Sequence, residues 1–100
     1  MAKNFSKLVK LISRAKSAAE KNLEYIREDL EEIIENHNTS ERRIEPVLDR
    51  LLDIMMLGVG EEEFTRLNNY YKFINPRNAR FYENCYKEMA EEEPDESDRT

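Results

Sequence analysis

From Asn4 to Asn36 the chain has neither glycine nor proline, and its apolar residues recur at steps of three and four. Phe5, Leu8, Ile12, Ala15 and Ala19 carry the pattern first. Ile26, Leu30 and Ile33 resume it after one interruption near Asn22 and Leu23. That spacing places them on one face of an α-helix. At 1.5 Å per residue a helix of about 33 residues is about 50 Å long. The small residues Ser17, Ala18 and Ala19 near its middle let another helix approach closely, and they are also where a break is most readily placed.

A chain of 100 residues supports one domain with a modest core. Only two glycines and three prolines occur in it, so the remainder is expected to be helical too. His37-Asn38-Thr39-Ser40 reads as a turn. Glu41 to Glu45 reads as a short leading turn, and Pro46 then opens a central helix running to Leu57, the most apolar segment of the chain. Its Val47, Leu48, Leu51, Leu52, Met55 and Met56 leave only a narrow polar strip of Asp49, Arg50 and Asp53. A helix so apolar is expected to be covered on several sides, with both methionines in the core. Gly58-Val59-Gly60 ends it. Glu61 to Glu63 open the next helix, with Phe64, Leu67, Tyr71 and Ile74 as its buried stripe. Asn75 caps and Pro76 starts the last, whose stripe is Ala79, Tyr82, Tyr86 and Met89.

The expected fold is therefore all-α: one long N-terminal helix and three shorter ones in a small bundle over residues 1–90. Residues 91–100 hold six acids against Arg99 and have nothing to bury, so an acidic disordered tail is expected there. The later helices, of about 12 to 16 residues, reach only about 18 to 24 Å. None covers the long helix alone. Either two of them lie end to end along it, or a second protomer covers the remainder.

Charge divides the long helix. Lys3, Lys7, Lys10, Arg14 and Lys16 precede any acid. Glu20, Glu24, Glu28, Asp29, Glu31, Glu32 and Glu35 then face only Lys21 and Arg27. This order opposes the helix macrodipole, so local helix stability does not account for it. Antiparallel coiled-coil pairing with a second copy does, because each basic half then lies along an acidic half. Lys7, Lys10, Arg14, Glu24, Glu28 and Glu31 are the expected self-association residues. A solvated face without a partner is the alternative.

Catalytic chemistry finds little purchase. The only histidine, His37, lies in a polar turn. Residue 34 is isoleucine, so no Glu-x-x-His motif precedes that histidine, and neither His-Glu-x-x-His nor Cys-x-x-Cys occurs. Glu28, Glu31, Glu32 and Glu35 share part of a helix surface, which reads as a solvated face. Cys85, beside an apolar stripe without histidine in its segment, reads as packing. No enzyme, cofactor or metal is expected.

Binding chemistry is better represented. Seven of the nine aromatics lie between Phe64 and Tyr86, and residues 64–90 hold five bases and two acids. The stripes do not use Tyr70, Phe73 and Phe81. With Arg77 and Arg80 these make a partner-binding candidate, since aromatics beside arginine are a common interface composition. They also suit stacking on single-stranded bases. Completing the core from a second side remains the alternative. Separately, the Leu57-Gly58-Val59 turn between two helices resembles the turn of bacterial helix–turn–helix DNA-binding domains. That resemblance implies a recognition helix after Gly60. Here the helix opens with three glutamates, and Ile54 stands where the family prefers a small residue.

One cysteine cannot form an internal disulfide, which suggests a reducing compartment. The longest uninterrupted apolar run is Ile54 to Leu57, far short of a membrane span. Residues 1–7 lack an apolar signal-peptide core. The expectation is a cytoplasmic, non-enzymatic protein–protein interaction module, of small-inhibitor, adaptor, immunity or assembly-factor type, acting as a homodimer without membrane contact. The alternative is a small regulatory protein binding nucleic acid through residues 70–82 or through the helix–turn–helix-like residues 50–70.

Overall fold

The computed structural model describes residues 2–91, and the side chains of residues 5–90. Four helices follow one another: α1 Ala2–Glu35, α2 Glu41–Met55, α3 Glu61–Lys72 and α4 Pro76–Glu91. No strand occurs among the described residues. The acidic tail expected to be disordered lies outside the described residues, apart from Glu91 at the end of α4.

Helix α1 runs without a break through Ser17. At 34 residues it accounts for the longest dimension of the molecule, 52 Å against 34 and 18 Å. It ends at a left-handed residue. His37 has φ 53°, and the His37 and Asn38 amides donate to the Ile34 and Ile33 carbonyls at 3.1 and 2.9 Å. This is the helix-ending pattern in which glycine is the usual left-handed residue. Replacing His37 by Gly is expected to raise stability by about 0.5–1 kcal/mol, read from urea unfolding, because it relieves left-handed strain at some cost in unfolded-state entropy.

Helix α2 begins one turn earlier than its proline suggests. The Arg43 and Ile44 amides donate to the Ser40 carbonyl at 3.1 and 3.0 Å, and Ile44 is fully buried. Residues 41–45 are thus continuous with the rest, and Pro46 sits inside the helix. The helix can carry it because Arg42, whose carbonyl Pro46 cannot reach with an N–H, lies in the exposed first turn. At the other end α2 stops at Met55 rather than Leu57. Met55 is half-buried and Met56 is 76 % exposed, so Met56 is not a core residue.

The core takes Ala19, Leu23, Ile26, Leu30 and Ile33 from α1, and Ile44, Val47, Leu48, Leu51 and Ile54 from α2. Val59 of the α2–α3 connection, Phe64, Leu67 and Tyr71 of α3, and Ala79 and Tyr82 of α4 complete it. Helix α2 folds back along α1, with Arg43 paired to Glu32 at 2.8 Å and Arg50 to Asp29 at 3.3 Å. Helix α3 covers the same half of α1 from the other side, with Arg27 paired to Glu63 at 2.7 Å and Arg66 to Glu31. Helix α4 rests on α3. As expected, Asn75 caps it: its side chain accepts from the Asn78 amide at 3.0 Å, and Pro76 is the first helical residue.

The polar edge of α2 is a ladder for the two later helices. Glu41 accepts from Asn75 at 2.9 Å, and Glu45 accepts from Tyr71 at 2.5 Å and Asn78 at 2.9 Å. Asp49 accepts from Tyr82 at 2.9 Å. Residues 41, 45 and 49 are successive turns of one helix face. The ladder therefore sets how far α3 and α4 can slide along α2.

Candidate interaction surface

The apolar stripe of α1 divides into two parts. From Ala19 to Ile33 it is at most 7 % exposed. One turn earlier the same face stands open. Phe5 is 68 % exposed, Leu8 53 %, Val9 44 %, Leu11 55 % and Ile12 55 %. The change comes between Ala15, which is exposed, and Ala19, which is buried. Ala19 and Leu23 are the first buried positions of α1, so the covering layer stops there. The first half of α1 is an arm that none of the described residues covers.

The expected self-association residues are placed differently from the stripe. Lys7, Lys10 and Arg14 are exposed and, by helical spacing, lie on the side opposite the stripe. Glu24 and Glu28 are exposed lower on the helix. Glu31 is taken up within the molecule, where both its oxygens receive Arg66 nitrogens. Hydrogen bonding from that guanidinium holds the Glu31 carboxyl below its ordinary value. Glu32 and Asp29 are likewise engaged by Arg43 and Arg50. The acidic half of α1 thus presents its apolar face to α2 and α3, and part of its charge to their arginines. A second α1 cannot lie against that face over its whole length; of the stripe only Phe5, Leu8, Ile12 and Ala15, with Val9 and Leu11 to either side, stand open. Periodicity put Phe5, Leu8 and Ile12 on a face, but nothing in it distinguished the covered half from the open half.

The aromatic–arginine candidate divides as well. Tyr70 is half-buried and its hydroxyl donates to the Asn38 carbonyl at 2.7 Å, pinning α3 to the α1–α2 turn. It is a structural residue. Phe73 is 90 % exposed and Phe81 62 %, with Arg77 and Arg80 also exposed. These four sit at the α3–α4 corner, and Phe81 stands edge-on to Tyr82 at 5.6 Å between ring centres.

In the helix–turn–helix-like segment, two of the three glutamates that open α3 are engaged by neighbouring helices at the surface. Glu63 receives Arg27 and Glu61 receives the Tyr86 hydroxyl. Phosphate recognition needs donors at such a terminus, and the first turn of α3 carries three acids.

Cys85 is half-buried, and burial first, then Glu88 and Asp49, push its thiol up. It is held in the unreactive form. Among the described residues, no group of three His, Cys, Asp or Glu side chains is placed to hold a metal ion, and no helix is long and apolar enough to cross a membrane. No protein-family model, curated protein or solved structure matches the chain.

Proposed function

We propose that this chain is a non-enzymatic protein–protein interaction module whose binding element is the projecting first half of α1. One observation carries the reading: a single apolar stripe is sealed by α2 and α3 from Ala19 onward and open from Phe5 to Ala15. Five large apolar side chains on one exposed helix face exceed what scattered surface hydrophobes explain. Such faces serve as docking ridges for another helix or groove. A second reading, binding through the α3–α4 corner, is favoured by the exposure of Phe73 and Phe81 beside Arg77 and Arg80.

Affinity capture with three baits separates them: the native chain, Leu8→Glu with Ile12→Glu, and Phe73→Ser with Phe81→Ser. The arm variant is expected to lose the bound protein, with a melting temperature within about 2 °C of native, since neither side chain is in the core. The corner variant is expected to keep it. The reverse pattern, or capture of nucleic acid that fades steeply with salt, assigns the function to the corner instead.

A further inference from the structure

We infer that the arm is covered by the arm of a second copy, antiparallel and about a two-fold axis, in direct continuation of the line of α2. This rests on the arm being the binding element, and it names the occupant.

Shape comes first. Helices α2 and α3 cover the same stripe further along α1, from Ala19 onward, and α3 begins only at the level of Arg27. They make a step about one helix diameter high, roughly 10 Å. A flat surface, such as a lipid headgroup layer, would strike this step before reaching Phe5, Leu8 or Ile12. The space accepts a helix that begins where α2 stops. Met56 and Leu57, which directly follow α2, are exposed and offer apolar ground for the end of that helix.

The sequence of the arm supplies a partner for itself. Phe5, Leu8, Ile12 and Ala15 are spaced as the two core positions of a coiled-coil repeat. An antiparallel mate aligns Phe5 with the partner's Ala15 and Leu8 with the partner's Ile12, so that a large side chain meets a small one and two aliphatic side chains meet each other. Val9 and Leu11 flank the seam on either side and come near their own copies across the axis. A parallel mate is impossible, because the two α2–α3 layers would then occupy the same space.

Charge fits this arrangement. The arm has no acid before Glu20, and a pair of such arms concentrates like charge. Yet Lys7, Lys10 and Arg14 lie on the far side from the seam, and only Lys16 lies beside it. Across the dimer the far-side bases are about two helix diameters apart, beyond the Debye length of about 8 Å at physiological salt. The pairing is therefore apolar, and salt weakens only its residual repulsion.

Sedimentation of the native chain is expected to show a mass rising with concentration from 12.0 kDa to twice that value. The dissociation constant should stay level or fall between about 0.05 and 0.5 M salt. Leu8→Glu with Ile12→Glu should hold the chain monomeric. Register is read in a Cys85→Ser background by mixing a Leu8→Cys chain with an Ile12→Cys chain under mild oxidation. The mixed disulfide dimer should form several times faster than either self-linked dimer. A dimer that dissociates as salt rises, or equal rates of self and mixed cross-linking, would overturn the inference. A chain that stays monomeric at every concentration, while its capture of another protein still depends on Leu8 and Ile12, removes the second copy as occupant and leaves the arm as the binding element. A dimer indifferent to the Leu8→Glu and Ile12→Glu changes counts against both.

Discussion

Replacing Gly60 by valine is expected to lower stability by about 2–5 kcal/mol, enough to unfold much of the population of a domain this size. Gly60 precedes α3 with φ 94°, where a β-branched residue is a severe outlier and left-handed backbone costs about 1–2 kcal/mol. A Cβ there would also lie 3.2 Å from Ile54 Cδ1 and 3.2 Å from Leu51 Cδ2. Leu51 is fully buried and Ile54 nearly so, so the intrusion is into packed core and adds about 1–3 kcal/mol. Gly58 separates the two causes. It has φ 80°, and a Cβ added to it would meet nothing within 4 Å, so Gly58→Ala should show backbone strain alone. Urea midpoints should fall in the order native, Gly58→Ala, Gly60→Ala, Gly60→Val. A Gly60→Val protein within about 1 kcal/mol of native would show that the α2–α3 connection is not held as described.

Removing the Tyr71 side chain is the second large effect. It is the largest fully buried side chain, and its hydroxyl donates to Glu45 at 2.5 Å. Tyr71→Ala should cost about 3–5 kcal/mol. Tyr71→Phe keeps the ring and should cost about 1–2 kcal/mol, because Asn78 still donates to Glu45 at 2.9 Å. Burial first, and the hydrogen bond to Glu45 second, raise the Tyr71 hydroxyl to about 12. Tyr82 is pushed up too, by burial and then by Asp49. A group whose folded value is raised contributes stability that is complete below its unfolded value, about 10 for tyrosine, and is lost as pH climbs towards the folded value. Unfolding free energy should thus fall between about pH 10 and 12, by about 2 kcal/mol for Tyr71 alone. Tyr71→Phe should flatten that decline. An unchanged alkaline slope in this variant would remove Tyr71 as its source.

Both predictions fall on residues whose roles are partly readable from spacing. Tyr71 belongs to a stripe with Phe64 and Leu67, so its burial follows from that stripe. Its acceptor does not, because Glu45 is 26 positions away in the chain and only antiparallel packing of α2 brings the two together. Gly60 is legible as a helix breaker, but the crowding around its missing Cβ is not. Tyr70 and Phe73 look alike in sequence, as aromatics outside the stripe. One is tied to the Asn38 carbonyl and the other is 90 % exposed, because Phe73 falls after the last turn of α3, where no neighbour reaches it.

The long helix shows the same division most sharply. Its existence, its length and its apolar face were determined by local chemistry: no breaker between Asn4 and Asn36, and apolar residues at helical spacing. Those interactions act within a few residues and need no knowledge of the rest of the chain. Which half of the face is buried depended on where α2 and α3 come to rest. That position is set by the length of α2, the turn at His37 and the ladder of Glu41, Glu45 and Asp49. These are long-range contacts, and the apolar spacing runs on through Ala19 without marking a boundary. The tertiary structure alone decided that the stripe closes there and stays open from Phe5 to Ala15.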